Sequence, residues 1–215
     1  MRQITVRGTG TTAVRPDTVE LGFTLHTERA VYAETAAAAA EASDKLRAAV
    51  VRAGLSDKAL KTAAFSLNAK YDTVPDGKVG HTRVFAGYVC TERLTLRFPL
   101  DMALLDKVLG ETGESGAAAE FTVRFTRRQE RADKDALIKA AVRDAAHKAA
   151  VLAEAAGETL GALVAIEYSA SPVNLYSRTE FSRDCAPKVR AAAAFAFTPE
   201  DIENTDTVTA VYELL

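Results

Sequence analysis

The chain has 215 residues, 48% hydrophobic and 26% charged, with a net charge of −2. That composition is globular rather than disordered and lacks the overall basic balance of a nucleic-acid binder. The two cysteines, Cys90 and Cys185, can build neither a disulfide framework nor a zinc site by themselves.

Ile4 and Val6 alternate with polar residues as a first strand, and Pro16-Asp17 makes a turn. Val19, Leu21, Phe23 and Leu25 then alternate with polar residues in a half-buried second strand. Between residues 30 and 53 the period becomes helical: Ala39, Ala42, Leu46, Ala49, Val50 and Ala53 share a face, and Gly54 is the stop. A helix face so rich in alanine can lie close to a sheet, which leaves Leu46 and Val50 as its main hydrophobic anchors.

Phe65, Leu67, Ala69 and Tyr71 form a third strand. Residues 72–81, with Pro75, Asp76, Gly77 and Gly80, read as an exposed hairpin loop. A strand returns through Tyr88, Cys90, Leu94, Leu96 and Phe98. A short helix follows, with Asp101 as N-cap, Leu105, Val108 and Leu109 as its apolar face, and Gly113 past its end. Phe121, Val123 and Phe125 alternate as another strand.

The third helix is expected over residues 132–156, with Leu137, Ala141, Ala145, Ala149, Leu152 and Ala156 as its stripe and Gly157 as its stop. Residues 163–168 are strand-like, and residues 169–190 read as a long loop. Phe195 and Phe197 belong to a strand, and Val208, Ala210, Tyr212 and Leu214 close the chain as another.

Strands and helices do not alternate strictly, so the expected class is α+β: largely antiparallel sheets covered by three helices. Two intertwined α/β subdomains are expected. Residues 1–58 and 130–215 make a discontinuous first one, and residues 59–129 an inserted ββαβ unit. No segment has the roughly 18 uncharged apolar residues of a membrane-spanning helix. Residues 1–8 show no secretory h-region, which points to the cytoplasm.

An ordered set of residues carries a family resemblance. It begins with Ile4-Thr5-Val6-Arg7-Gly8-Thr9-Gly10 and Pro16-Asp17, and continues with Gly54, Leu60, Thr62, Phe65, Leu67, Tyr71 and Gly87-Tyr88. Ala145, Lys148, Ala149, Leu152, Ala153, Gly157, Leu160-Gly161 and Ile166-Glu167 follow. It ends with Thr198-Pro199-Glu200-Asp201-Ile202-Glu203 and Val208-Thr209-Ala210-Val211-Tyr212-Glu213-Leu214. With these the chain resembles the SIMPL-domain family, which includes bacterial periplasmic immunogenic proteins and a mammalian kinase-interacting protein. The resemblance implies a two-part α/β fold and homo-oligomerisation, and no known reaction. Some members are associated with oxidative-stress defence, others with signalling.

Several motifs invite a sharper reading. Gly8-Thr9-Gly10-Thr11-Thr12-Ala13 fits G-x-G-x-x-A after a strand. A dinucleotide fingerprint needs a helix to start there, and Pro16-Asp17 and a strand follow instead, so these read as turn or bulge glycines. His26, His81 and His147 have no metal-ligand spacing and read as surface residues. Acidic groups such as Glu111/Glu114 and Glu200/Asp201/Glu203 read as caps and solvated turns. Cys90 has core parity. Cys185 lies near Arg183, Lys188 and Arg190, whose charge favours a thiolate, which makes it the redox candidate. Arg124, Arg127, Arg128, Arg131 and Lys134 form the densest basic run, interleaved with Glu130, Asp133 and Asp135.

The function expected from this is a non-enzymatic, oligomeric scaffold or interaction protein, with a stress-related role, no cofactor and no metal, and protein rather than nucleic acid as partner. Two alternatives stand beside it: a redox-responsive protein or enzyme using Cys185 or a cleft site, and a nucleic-acid-binding module using the Arg124–Lys134 run.

Overall fold

Alternating Val19, Leu21, Phe23 and Leu25 are all buried, and they pack with Leu46 and Val50 and with Leu94, Leu96 and Phe98. The computed structural model describes residues 2–76, 80–128, 130–170, 172–184 and 198–215. Its strands are β1 (Arg2–Val14), β2 (Thr18–Arg29), β3 (Leu60–Asp76), β4 (Gly80–Pro99), β5 (Glu120–Thr126), β6 (Leu160–Tyr168), β7 (Tyr176–Asp184) and β8 (Ile202–Leu214). Its helices are α1 (Tyr32–Arg52), α2 (Met102–Glu114) and α3 (Glu130–Ala155). They build an α+β fold with two antiparallel sheets, ordered β3-β4-β2-β5-β7 and β1-β8-β6.

The chain divides into two compact units. One holds residues 18–125 and 180–198, the other residues 1–17, 126–179 and 199–215. These borders differ from those expected from the sequence, which grouped β2 and α1 with the terminal segments. The reason lies in packing: β2 pairs with β4 from Thr18↔Pro99 to Arg29↔Tyr88, and Leu46 and Val50 of α1 share its core. Pairing and burial, which a linear pattern does not reveal, carry both elements into the inserted segment.

The larger unit has a core of large side chains. Phe23, Phe98, Phe125, Leu21, Leu46, Leu94, Leu96 and Leu105 are all fully buried. Each such side chain contributes about 1.5–3 kcal/mol by leaving water. Gly54, at φ +101°, ends α1, and Leu55 N–H closes back on Val50 at 3.2 Å. Asp101 caps α2 by accepting from Leu104 N–H at 3.0 Å. That helix runs through Gly113, expected past its end, to Glu114, and the left-handed residue is Gly116 at φ +70°.

Two expected loops are shorter. β3 and β4 pair out to Asp76↔Gly80, because Val74 and Val84 extend the ladder through residues that read as turn formers. Within residues 169–190, expected as loop, Tyr176–Asp184 form β7, and Phe181 reaches Phe121 with ring centroids 6.0 Å apart. The strand expected at Phe195 and Phe197, and Cys185, lie outside the described residues.

The smaller unit is built on small residues. α3 lays Ala141, Ala145 and Ala149 on the sheet with Val6, Val208, Ala210 and Tyr212. A Cβ on Gly8 would stand 2.1 Å from the Ala141 carbonyl oxygen, and one on Gly10 2.2 Å from that of Leu137. Close approach of helix backbone to strand backbone is therefore the physical role of the G-x-G pair. Along α3 the buried stripe passes from Ala149 to Ala153, so Leu152, expected in the core, is 50% exposed. The cause is the helical period: four residues after Ala149 is Ala153.

Candidate functional site

Strand β1 is one edge of the three-stranded sheet and β6 the other. The register Val6↔Ala210, Arg7↔Thr209, Gly8↔Val208 puts Val6 and Gly8 on the face under α3 and Arg7 on the opposite face. Backbone groups alternate as well, so those of Gln3, Thr5, Arg7 and Thr9 point away from β8 to the free edge.

Part of this edge is closed by α3. Asp144 Oδ2 accepts from Thr9 N–H at 2.6 Å, and Lys148 Nζ donates to the Arg7 carbonyl at 3.2 Å. Asp144 and Lys148 also pair with each other at 2.7 Å, one helical turn apart. Lys148, and then the Thr9 N–H, hold the Asp144 carboxyl below its ordinary range. The result is a side-chain lock on unpaired strand groups, a known protection against unwanted strand pairing.

Beyond the lock a groove of about 570 Å³ opens between β1 and the flank of α3. Val6, Val151 and Leu152 supply its apolar lining, and Arg7, His147 and the Asp144–Lys148 pair its polar rim. Val151 and Leu152 are about half exposed, at 48% and 50%. The backbone groups that α3 leaves unlocked there are the Thr5 carbonyl and the Arg7 N–H, both pointing to the free edge.

The other edge has no such lock among the described residues. β6 reads Leu-Gly-Ala-Leu-Val-Ala-Ile-Glu-Tyr, with Glu167 as its one charge and no lysine or proline. Leu163, Val164 and Ile166 are 49%, 47% and 46% exposed. Tyr168 is pinned at its end: its hydroxyl donates to Asp206 Oδ2 at 2.7 Å, and that bond, with burial, raises its pKa. The pairings Ile166↔Ala210 and Tyr168↔Val208 turn the backbone groups of Ile166 and Tyr168 to the free edge.

The residues singled out from the sequence lie elsewhere. Arg124 pairs with Glu180 at 3.2 Å in the larger unit. Arg127 pairs with Asp133 and donates to the Arg15 carbonyl in the smaller unit, where the Arg128 N–H bonds Asp17. Arg131 and Lys134 are exposed on α3. His26 Nδ1 lies 3.2 Å from Thr91 Oγ1. His81 is exposed, while His147 stands on the rim of the groove. Cys90 is buried, and desolvation followed by Glu92 raises its pKa, which leaves it a thiol. Among the described residues no His, Cys, Asp or Glu cluster is placed to hold a metal, and no helix is long and apolar enough to cross a membrane.

Sequence reasoning missed the groove and the open edge. Their one linear signal is the Leu160–Tyr168 strand, apolar on both parities and free of lysine.

Together these features define a two-unit α+β protein whose most distinctive surfaces are the two edges of its smaller sheet. SIMPL, described as a protein of unknown function (DUF541), matches residues 4–212, and the chain belongs to that family. It is similar to the 26 kDa periplasmic immunogenic protein of Brucella melitensis biotype 1, at 29% identity over 171 residues, covering 79% of this chain and 68% of that protein.

Proposed function

We propose that the chain is a non-enzymatic scaffold or interaction protein that works by assembling with copies of itself through the edges of its smaller sheet. One observation carries this: β6 exposes Leu163, Val164 and Ile166 on an edge that has no lysine or proline to discourage pairing. An apolar strand edge costs solubility when left bare and repays that cost when another strand covers it. A non-catalytic role is supported by the way shifted acids and bases are tied to visible structural partners. Asp144 is tied to Lys148, Tyr168 to Asp206, Lys70 to Glu28 and Glu41 to Lys45.

A stress-related role and a compartment belong to the same proposal. The cytoplasm expected from residues 1–8 stands against the periplasm named for the Brucella relative, and cell fractionation separates them. Peroxide survival of a strain lacking the protein tests the stress role. The central test is multi-angle light scattering at micromolar concentration. A multiple of the single-chain mass is expected, and a monomer across the whole range contradicts the reading.

A further inference from the structure

The two edges of the smaller sheet differ in a complementary way. β1 carries Arg2, paired with Glu158, and Arg7, and no acid. The groove beside it is lined by His147 and by Lys148, which pairs with Asp144, so Arg7 is the charge this edge offers. β6 carries Glu167 and no cation. We propose that β6 of one copy docks as a parallel strand on β1 of the next, with Ile166 filling the groove beside Val6 and Glu167 meeting Arg7. This rests on the self-assembly reading above and names its surfaces, direction and register.

The register follows from the sheet itself. Val6, Ala210 and Ile166 lie in one row on the face under α3, and Arg7, Thr209 and Glu167 in the next row on the opposite face. Continuing these rows into a second copy sets its Ile166 beside Val6, against the exposed Val151 and Leu152. Its Glu167 then falls beside Arg7. β1 and β6 are both antiparallel to β8, so they run parallel within one copy, and a sheet continued in the same sense pairs them in parallel.

In a parallel ladder a residue bonds the two neighbours of the one it faces. Ile166 facing Val6 donates its N–H to the Thr5 carbonyl and accepts from the Arg7 N–H, the groups that α3 leaves unlocked. The next edge residue, Tyr168, would face Gly8 and need the Arg7 carbonyl and Thr9 N–H. Lys148 and Asp144 already hold those two. The lock thus ends the pairing at Ile166 and fixes the register against a slip toward Gly8 and Gly10. The same lock disfavours a longer foreign strand, which is why a second copy, with its pinned Tyr168 and single acid, suits this edge.

Such a contact is heterologous: different surfaces meet, and a pair of copies keeps one free β1 edge and one free β6 edge. The test uses exposed positions. Leu152→Lys places a charge in the groove, and Ile166→Lys places one on the docking strand. By light scattering each variant alone is expected to be monomeric. Mixed one to one, they are expected to form pairs and stop there, since the mixture holds one intact groove and one intact strand per pair. Arg7→Glu and Glu167→Arg are each expected to weaken assembly about tenfold or more, with the double variant restoring it.

A wild-type chain that stays monomeric sinks the self-assembly reading itself. A wild-type oligomer that Leu152→Lys and Ile166→Lys leave intact overturns only the docking. Leu152→Lys dimers alongside Ile166→Lys monomers would mean that β6 pairs with β6, which also overturns it. Circular dichroism on each variant confirms that the fold persists.

Discussion

The two edges of the three-stranded sheet show how one small unit can expose backbone in opposite ways. On β1, α3 approaches so closely that Asp144 and Lys148 reach past the strand and occupy the Thr9 N–H and Arg7 carbonyl. On β6, apolar side chains stand open, and among the described residues Tyr168 alone is tied down by its side chain. The difference comes from helix placement, and helix placement comes from two glycines. A locked edge limits which strands can add, while an open one invites addition.

The comparison breaks most severely if α3 is pushed off β1. Gly8→Ala drives a Cβ into the Ala141 and Ala145 backbone, where no side chain can turn aside. It is expected to cost about 3 kcal/mol or more in urea denaturation, at or above the usual range for overpacking. Gly22→Ala meets nothing within 4 Å and is the control, expected to be neutral or slightly stabilising. Equal losses for the two would refute the close-approach account.

Next in size is the response of the open edge. Leu163→Lys is expected to leave folding stability within about 0.5 kcal/mol of the parent, because the side chain is half exposed. It should nonetheless raise solubility and shift the chain toward monomer in sedimentation. A large drop in stability would mean that β6 belongs to the core of its own copy.

The smallest effect sharpens the lock. Asp144→Ala is expected to speed hydrogen exchange at the Thr9 amide while the Val6 amide, bonded to β8, stays protected. The acid dependence has a definite sign. Asp144 has a lowered pKa in the fold, first through Lys148 and then through the Thr9 N–H. Its contribution is fully present above the ordinary carboxylate range and is lost as pH falls through the lowered value. The Thr9 amide shift should therefore titrate at a lower pH than a free aspartate would.

Much of the larger unit was legible because its signals are strong and local. Val19 to Leu25 alternate cleanly, Leu46 and Val50 anchor a helix, and Asp101 caps another. β7 escaped because polar Ser177, Arg178 and Thr179 hide an edge strand whose main anchor is Phe181. In the smaller unit, glycine and alanine patterns announced a helix near a strand without saying how near. Leu152 read as core because helical spacing allows either it or Ala153 inward, and only the contact with the sheet decides. The G-x-G pair read as turn or bulge glycines and proved to be in-strand glycines under a helix. The lock and the groove needed residues about 140 positions apart to meet, which no periodicity encodes.

The most direct measurement is cross-linking between copies at the proposed row. In a Cys185→Ser background, Arg7→Cys and Glu167→Cys chains are mixed and treated with a short bis-maleimide. The account predicts a mixed dimer carrying one of each, forming much faster than either homodimer. Glu167→Cys chains that link to one another as fast as to Arg7→Cys chains would contradict it.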